Sequence, residues 1–302
     1  MKITGPTSHR SEAGFSLLEL VLVCAIMTIV LGAVFNGMDQ VTKRSEVEQT
    51  KVDLTQQGRE FVDEFERDVH QAGYPNCRMV ATAVAPANCP PDGTIPFVSN
   101  PNVITNPLVA AGLVSISNTQ VVIEGDVDGS GTVSQVWYRL VDQAGHYPPT
   151  GNCPCKIQRA QIQKTAANAA WPLTAPGASD FSMELENVVN SGQSTTAGVY
   201  SGGLTIAGST AWGESNTSYY AAVSAFKDFP VFQGYDQSGQ IVALPQDLNS
   251  STTLNCGPTS LTCIKTIRLT INLLANGLTG VDLQTKVRPV TTLVGDARLV
   301  NN

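Results

Sequence analysis

Charge is scarce in this chain of 302 residues: Asp, Glu, Lys and Arg together make up 14% of it. The 18 Lys and Arg face 25 Asp and Glu, a formal net charge of −7, and no broad basic face is available for a nucleic-acid partner. Histidine occurs three times, as His9, His70 and His146, and none of these stands in an HExxH pattern. A GxSxG elbow, a GxxxxGK(S/T) phosphate loop and a GxGxxG turn are missing too, so nothing in the sequence supports an enzyme. No repeat of fixed period recurs. With 42% hydrophobic residues, 26 Gly and 17 Pro, neither a collagen-like nor a fully disordered class fits. The surface polarity rests on Ser, Thr, Asn and Gln, a composition commoner in exported chains.

What the chain does have is one long apolar run. From Phe15 to Phe35 it is apolar except for Ser16, Glu19, Thr28 and Gly32. At about 1.5 Å per residue this run spans a bilayer core of about 30 Å. Lys2 and Arg10 precede it in a short polar leader, which suits a cytoplasmic start. A secretory signal has a shorter apolar stretch followed by a small-residue cleavage site; here the run is longer and the small residue, Gly14, comes before it. Glu19 stands within the run, where an ionised carboxylate is costly and calls for a partner such as an amine, unless it sits at headgroup level and is solvated there.

The junction GFSLLEL, from Gly14 to Leu20, resembles the prepilin signal of type IV pilins and type II secretion pseudopilins. The resemblance implies cleavage after Gly14 by a prepilin peptidase and methylation of the new N-terminus at Phe15. It also implies that the Glu19 carboxylate of an incoming subunit meets the α-amine of Phe15 in its neighbour, neutralising both charges in an apolar filament core. The segment DEFERDVHQAGYPNC (Asp63 to Cys77) resembles PilW-type minor pilins, as do, more loosely, Pro230 to Gln240, Ile264 to Asn276 and Thr285 to Val290.

Beyond the apolar run, Val47, Leu54, Phe61, Phe65 and Val69 recur at sevens and fours among polar residues, an amphipathic continuation of the same helix. Its apolar stripe packs against a head domain or, alternatively, forms a coiled coil. Gly73, Tyr74 and Pro75 end the helix, which from Phe15 to Ala72 would reach roughly 85 Å, with Gly32, Gly37 and Gly58 as points of bending. From Pro75 onward the periodicity falls to two: Thr119 to Glu124, Val133 to Val141, Lys156 to Ile162, Ser218 to Phe226, Lys265 to Leu273 and Val281 to Pro289 read as strands of an antiparallel sheet. The expected class is therefore α+β and pilin-like. Its parts are a leader at 1–14, a transmembrane half-helix at 15–35, an amphipathic half at 36–74 and a β-rich head at 75–302. A Gly/Ser/Thr-rich insertion near 190–218 is either an adhesive or packing loop or a mobile one without its own role.

Two constellations bear on chemistry. Asp126, Asp128 and Ser130, followed by Gly131, have the one-three-five spacing with which a calcium loop begins. Trp137 stands at the twelfth position, where a bidentate carboxylate belongs, so calcium would need an acid from elsewhere, such as Glu124; the competing reading is a metal-free hairpin turn. Among seven cysteines, Cys77, Cys89, Cys153, Cys155, Cys256 and Cys263 read as a disulfide set of an oxidising compartment. Their pairing is open, and Cys153 and Cys155, two apart, would close a strained ring if bonded to each other. Asn216 and Asn249 stand in short glycosylation patterns. By resemblance, the expected function is that of a minor pilin in type IV pilus assembly, at a priming or tip position. Its partners would be other pilin subunits, the prepilin peptidase, the pilus assembly machinery and the bacterial inner membrane, before a final place in a cell-surface pilus. A minor pseudopilin and a pilus-borne adhesin or ligand-binding module are the alternatives.

Overall fold

The computed structural model describes residues 16–76, 79, 106–142, 144–149, 154–169, 173–190, 226, 229–247, 263–275 and 290–300. Helix α1, Leu17–Gln71, runs unbroken through Gly32, Gly37 and Gly58, the expected points of bending. Straight-chain and apolar residues dominate it, and several Thr and Lys side chains latch onto the preceding turn, as where the Thr28 hydroxyl donates to the Cys24 carbonyl at 2.8 Å. Ala72 caps it; beyond, the Gly73 amide donates to the Glu124 carbonyl at 2.8 Å and fastens the helix end to the sheet.

The strands follow in the order β1 Gly112–Ile116, β2 Gln120–Gly125, β3 Ser134–Val141, β4 Cys155–Gln163, β5 Phe181–Val188, β6 Phe232–Tyr235, β7 Ile241–Val242, β8 Gln246–Asp247, β9 Thr266–Leu274 and β10 Val290–Arg298. All belong to one antiparallel sheet of order β7-β6-β9-β5-β4-β3-β2-β1-β8, with β10 paired along the whole of β9. The expected strands near Thr119, Val133, Lys156 and Lys265 are β2, β3, β4 and β9. The expected strand from Val281 to Pro289 lies outside the described residues, as does that from Ser218 to Phe226 apart from Phe226 itself.

The sheet curls. The amides of Val231 and Phe232, at the start of β6, donate to the carbonyl of Asn118 in the β1–β2 turn, bringing distant parts of the strand order together. Residues of β2 and β3 are consequently buried on both faces instead of alternating, which accounts for the apolar runs VVI and VWY. The lower half of α1 lies along this curled sheet and buries Leu54, Phe61, Phe65 and Val69. Tyr138 meets Phe65 and Phe61 edge-on at centroid distances of 5.2 and 5.8 Å, and Phe65 lies 5.7 Å from Phe232. The apolar stripe of the lower helix is thus filled by its own head domain, not by a second helix. Where the helix ends, Ala72 bridges to Gly125, and a Cβ on Gly125 would stand 2.5 Å from the Gln71 carbonyl oxygen; only glycine allows that backbone approach.

Candidate assembly site

The upper half of α1 has no counterpart to that core. Leu17, Leu18, Ile29 and Phe35 are each at least 66% exposed, and the helix is long and apolar enough to cross a membrane. Glu19 lies in its first turn, exposed, at the end where the helix dipole favours negative charge. Among the described residues no cation forms an ion pair with it. An acid alone on an apolar rod calls for a partner from another molecule once the rod leaves water. Gly14 and Phe15, the expected cleavage and methylation residues, lie outside the described residues.

At the other end the helix is locked to the head by buried charge, which sequence reasoning missed. Asp68 is 1% exposed; its Oδ2 accepts from Tyr138 Oη at 2.7 Å and from Arg159 Nε and Nη2 at 3.0 and 2.8 Å. Glu64 Oε1 adds a 3.4 Å contact to Arg159 Nε. Burial pushes the Tyr138 hydroxyl well above the usual tyrosine range, with the Asp68 charge adding to the effect, so the phenol stays neutral and donates. Burial works against the Arg159 charge, but the Asp68 carboxylate and the hydrogen bonds to Asp68 and the Tyr138 oxygen outweigh it and hold the guanidinium protonated. Glu64 is raised, chiefly by burial, with Arg159 opposing. Asp68 and Arg159 stand 91 residues apart, and no local pattern announces their meeting.

A second buried pair corrects an expectation. Glu124 points away from the Asp126 turn: its Oε2 takes Lys164 Nζ at 2.6 Å and the Ala111 amide at 3.0 Å, and its Oε1 accepts from Gln135 Nε2 at 3.0 Å. Both side chains are buried, and Lys164 also donates to the Val109 carbonyl at 2.7 Å. Glu124 is therefore not the completing acid of the loop. Asp126, Asp128 and Ser130 do come together there, between β2 and β3. Asp128 is held below the usual carboxylate range by the Ser130 hydroxyl and amide. Trp137, at the twelfth position, is buried in the core.

Of the six head cysteines, Cys155 is buried at the start of β4 and Cys263 is buried just before β9. Cys77, Cys89, Cys153 and Cys256 lie outside the described residues, as do Asn216, Asn249 and nearly all of the insertion near 190–218.

Residues 9–35 match the family model described as the prokaryotic N-terminal methylation motif. No curated protein and no solved structure matches the chain. A prepilin-type methylation motif thus covers the start of a long N-terminal helix that is followed by a large antiparallel sheet, an arrangement consistent with the type IV pilin-like α+β fold. The motif supports a prepilin substrate of the pilin and pseudopilin type, and the long apolar helix is consistent with membrane anchoring.

Proposed function

We propose that the chain is a minor pilin of a type IV pilus, similar to the PilW group, and that its work is assembly and not catalysis. The observation that carries this is the pairing of the methylation motif at 9–35 with an apolar half-helix that is exposed among the described residues. A prepilin peptidase cuts after Gly14 and Phe15 becomes the methylated N-terminus. The protein then waits in the inner membrane with its head in the periplasm. Assembly moves the apolar half-helix from lipid into a filament core of other pilin subunits, where apolar contact gives most of the association energy and Glu19 meets a neighbour's Phe15 amine to set register. The head cysteines form structural disulfides in that oxidising compartment. A sheet domain this bulky suits a priming or tip position better than the repeating shaft.

Intact mass and N-terminal sequencing of the protein from sheared surface filaments, and separately from inner membrane, test the proposal. A chain starting at N-methylated Phe15 in the filament fraction is the expected result. Cleaved protein confined to the membrane would point instead to a pseudopilus subunit, and an uncleaved chain would overturn the role of Gly14. Glu19→Ala should still insert in the membrane yet fail to enter filaments; normal incorporation would count against the amine pairing.

A further inference from the structure

We propose that the turn joining β2 to β3 binds one calcium ion. Asp126, Asp128 and Ser130 stand at the first, third and fifth positions of the turn, and Gly131 follows with φ +80°, the left-handed bend such a loop requires. The loop is wound before any ion arrives. The Gly131 amide donates to Asp126 Oδ2 at 2.9 Å, the Ser130 amide to Asp128 Oδ1 at 3.0 Å and the Thr132 amide to Ser130 Oγ at 3.3 Å.

Those bonds organise the turn but do not by themselves ask for a ligand. Asp126 does. The residue is 8% exposed, and its Oδ1 is buried without any hydrogen-bond partner, while its Oδ2 is held by the Gly131 amide inside the turn. Asp128, two residues on and exposed, is a second acid in the same turn, its Oδ1 accepting from the Ser130 amide and its Oδ2 from Gln161 Nε2. Among the described residues neither forms an ion pair, and the nearby buried cation, Lys164, is taken by Glu124. A buried carboxylate oxygen with a second acid beside it and no cation in reach lacks its compensating charge. A hard cation with oxygen ligands supplies it.

The ligands would be Asp126 Oδ1, a carboxylate oxygen of Asp128, Ser130 Oγ and the carbonyl of Thr132 at the seventh position, with water completing the shell. Gln161 on β4 closes the flank, its Nε2 standing 3.4 Å from Asp128 Oδ2 and 3.5 Å from Ser134 Oγ. Only two acids contribute and the twelfth-position carboxylate is replaced by Trp137, so the affinity belongs at the weak end, about 10⁻⁴ to 10⁻³ M. Magnesium, which demands six regular ligands and gives up water reluctantly, binds more weakly still. None of this depends on the filament reading.

The test is calorimetric titration of calcium into the full chain in detergent micelles after chelator treatment, with circular dichroism confirming the fold. One site in the stated range is expected, weakened about tenfold or more in Asp128→Asn, an exposed position whose substitution leaves the sheet intact. Asp126→Asn should lose binding as well, and magnesium should bind more weakly than calcium. The proposal is overturned if the folded wild-type chain takes up no calcium at about 10 mM, well above the expected constant. Undiminished binding by Asp128→Asn would equally overturn it, by placing the ion elsewhere.

Discussion

The two halves of α1 are one continuous helix in two different solvents. Phe35, in the upper half, is 66% exposed, while Phe65, thirty residues on, is fully buried against Tyr138 and Phe232. The upper half is apolar on every side and needs an apolar medium or other subunits around it. The lower half is apolar on one stripe only, and the chain supplies that stripe's partner itself. What separates them is therefore where each finds its contacts: the lower half packs into the head and supports its stability, while the upper half is left exposed to whatever surrounds it.

Matched substitutions break that comparison most sharply. Phe65→Ala should destabilise the head by about 3 to 5 kcal/mol, because a filled core position becomes a cavity. Phe35→Ala should leave the melting of the head unchanged; thermal unfolding of both variants in the same detergent is the measurement, and equal losses would refute the division. A smaller effect is expected at the helix end. Gly125→Ala sets a methyl against the Gln71 carbonyl oxygen, which is backbone and cannot swing aside, and should cost about 1 to 3 kcal/mol in denaturant unfolding.

The smallest effect concerns the solvent-facing side of β9 and β10, where Arg268 Nε and Nη2 hold Asp296 at 2.7 and 2.8 Å. These hydrogen bonds keep the Asp296 carboxyl below its ordinary value of 3.8. A depressed folded pKa contributes stability above the unfolded value and loses it as the pH falls through the lower folded one. Arg268→Gln should thus cost about 0.2 to 1 kcal/mol near neutrality, an exposed pair being screened by water. Variant and wild type should converge in acid below the folded value, as read by urea unfolding at several pH values.

The helix and its two-part character were legible in the sequence because its apolar run and stripe are strong, and the strands β2, β3, β4 and β9 because they are short runs rich in β-branched and apolar residues bounded by turn residues. β10 was not, since Gly295 and Asp296 break its apolar pattern, and Gly295 is there to let Val62 of the helix come close. β5 hides for another reason: Phe181, Met183 and Leu185 do alternate, but Met183 faces solvent and the pairing with β4 slips register. The turn of Asp126 could be read from its spacing, whereas the direction of Glu124 could not. Its partner Lys164 stands just beyond the end of β4, and nothing near either residue signals a buried charge. Asp68 likewise looks like one more polar residue on an amphipathic helix until Tyr138 and Arg159 are brought beneath it.

That last cluster decides how the molecule carries force. A pull along the helix axis is passed to the head along the whole buried lower half of α1, where Leu54, Phe65, the Asp68–Arg159 pair and the Ala72–Gly125 bridge are among the fastenings. These reach β2, β3, β4 and, through Phe232, β6, while further up the helix Gly58 and Val62 lie against Leu293 and Gly295 of β10. Tension must therefore shear several fastenings together instead of peeling strands one at a time, so the rod and its head bear load as a single mechanical piece.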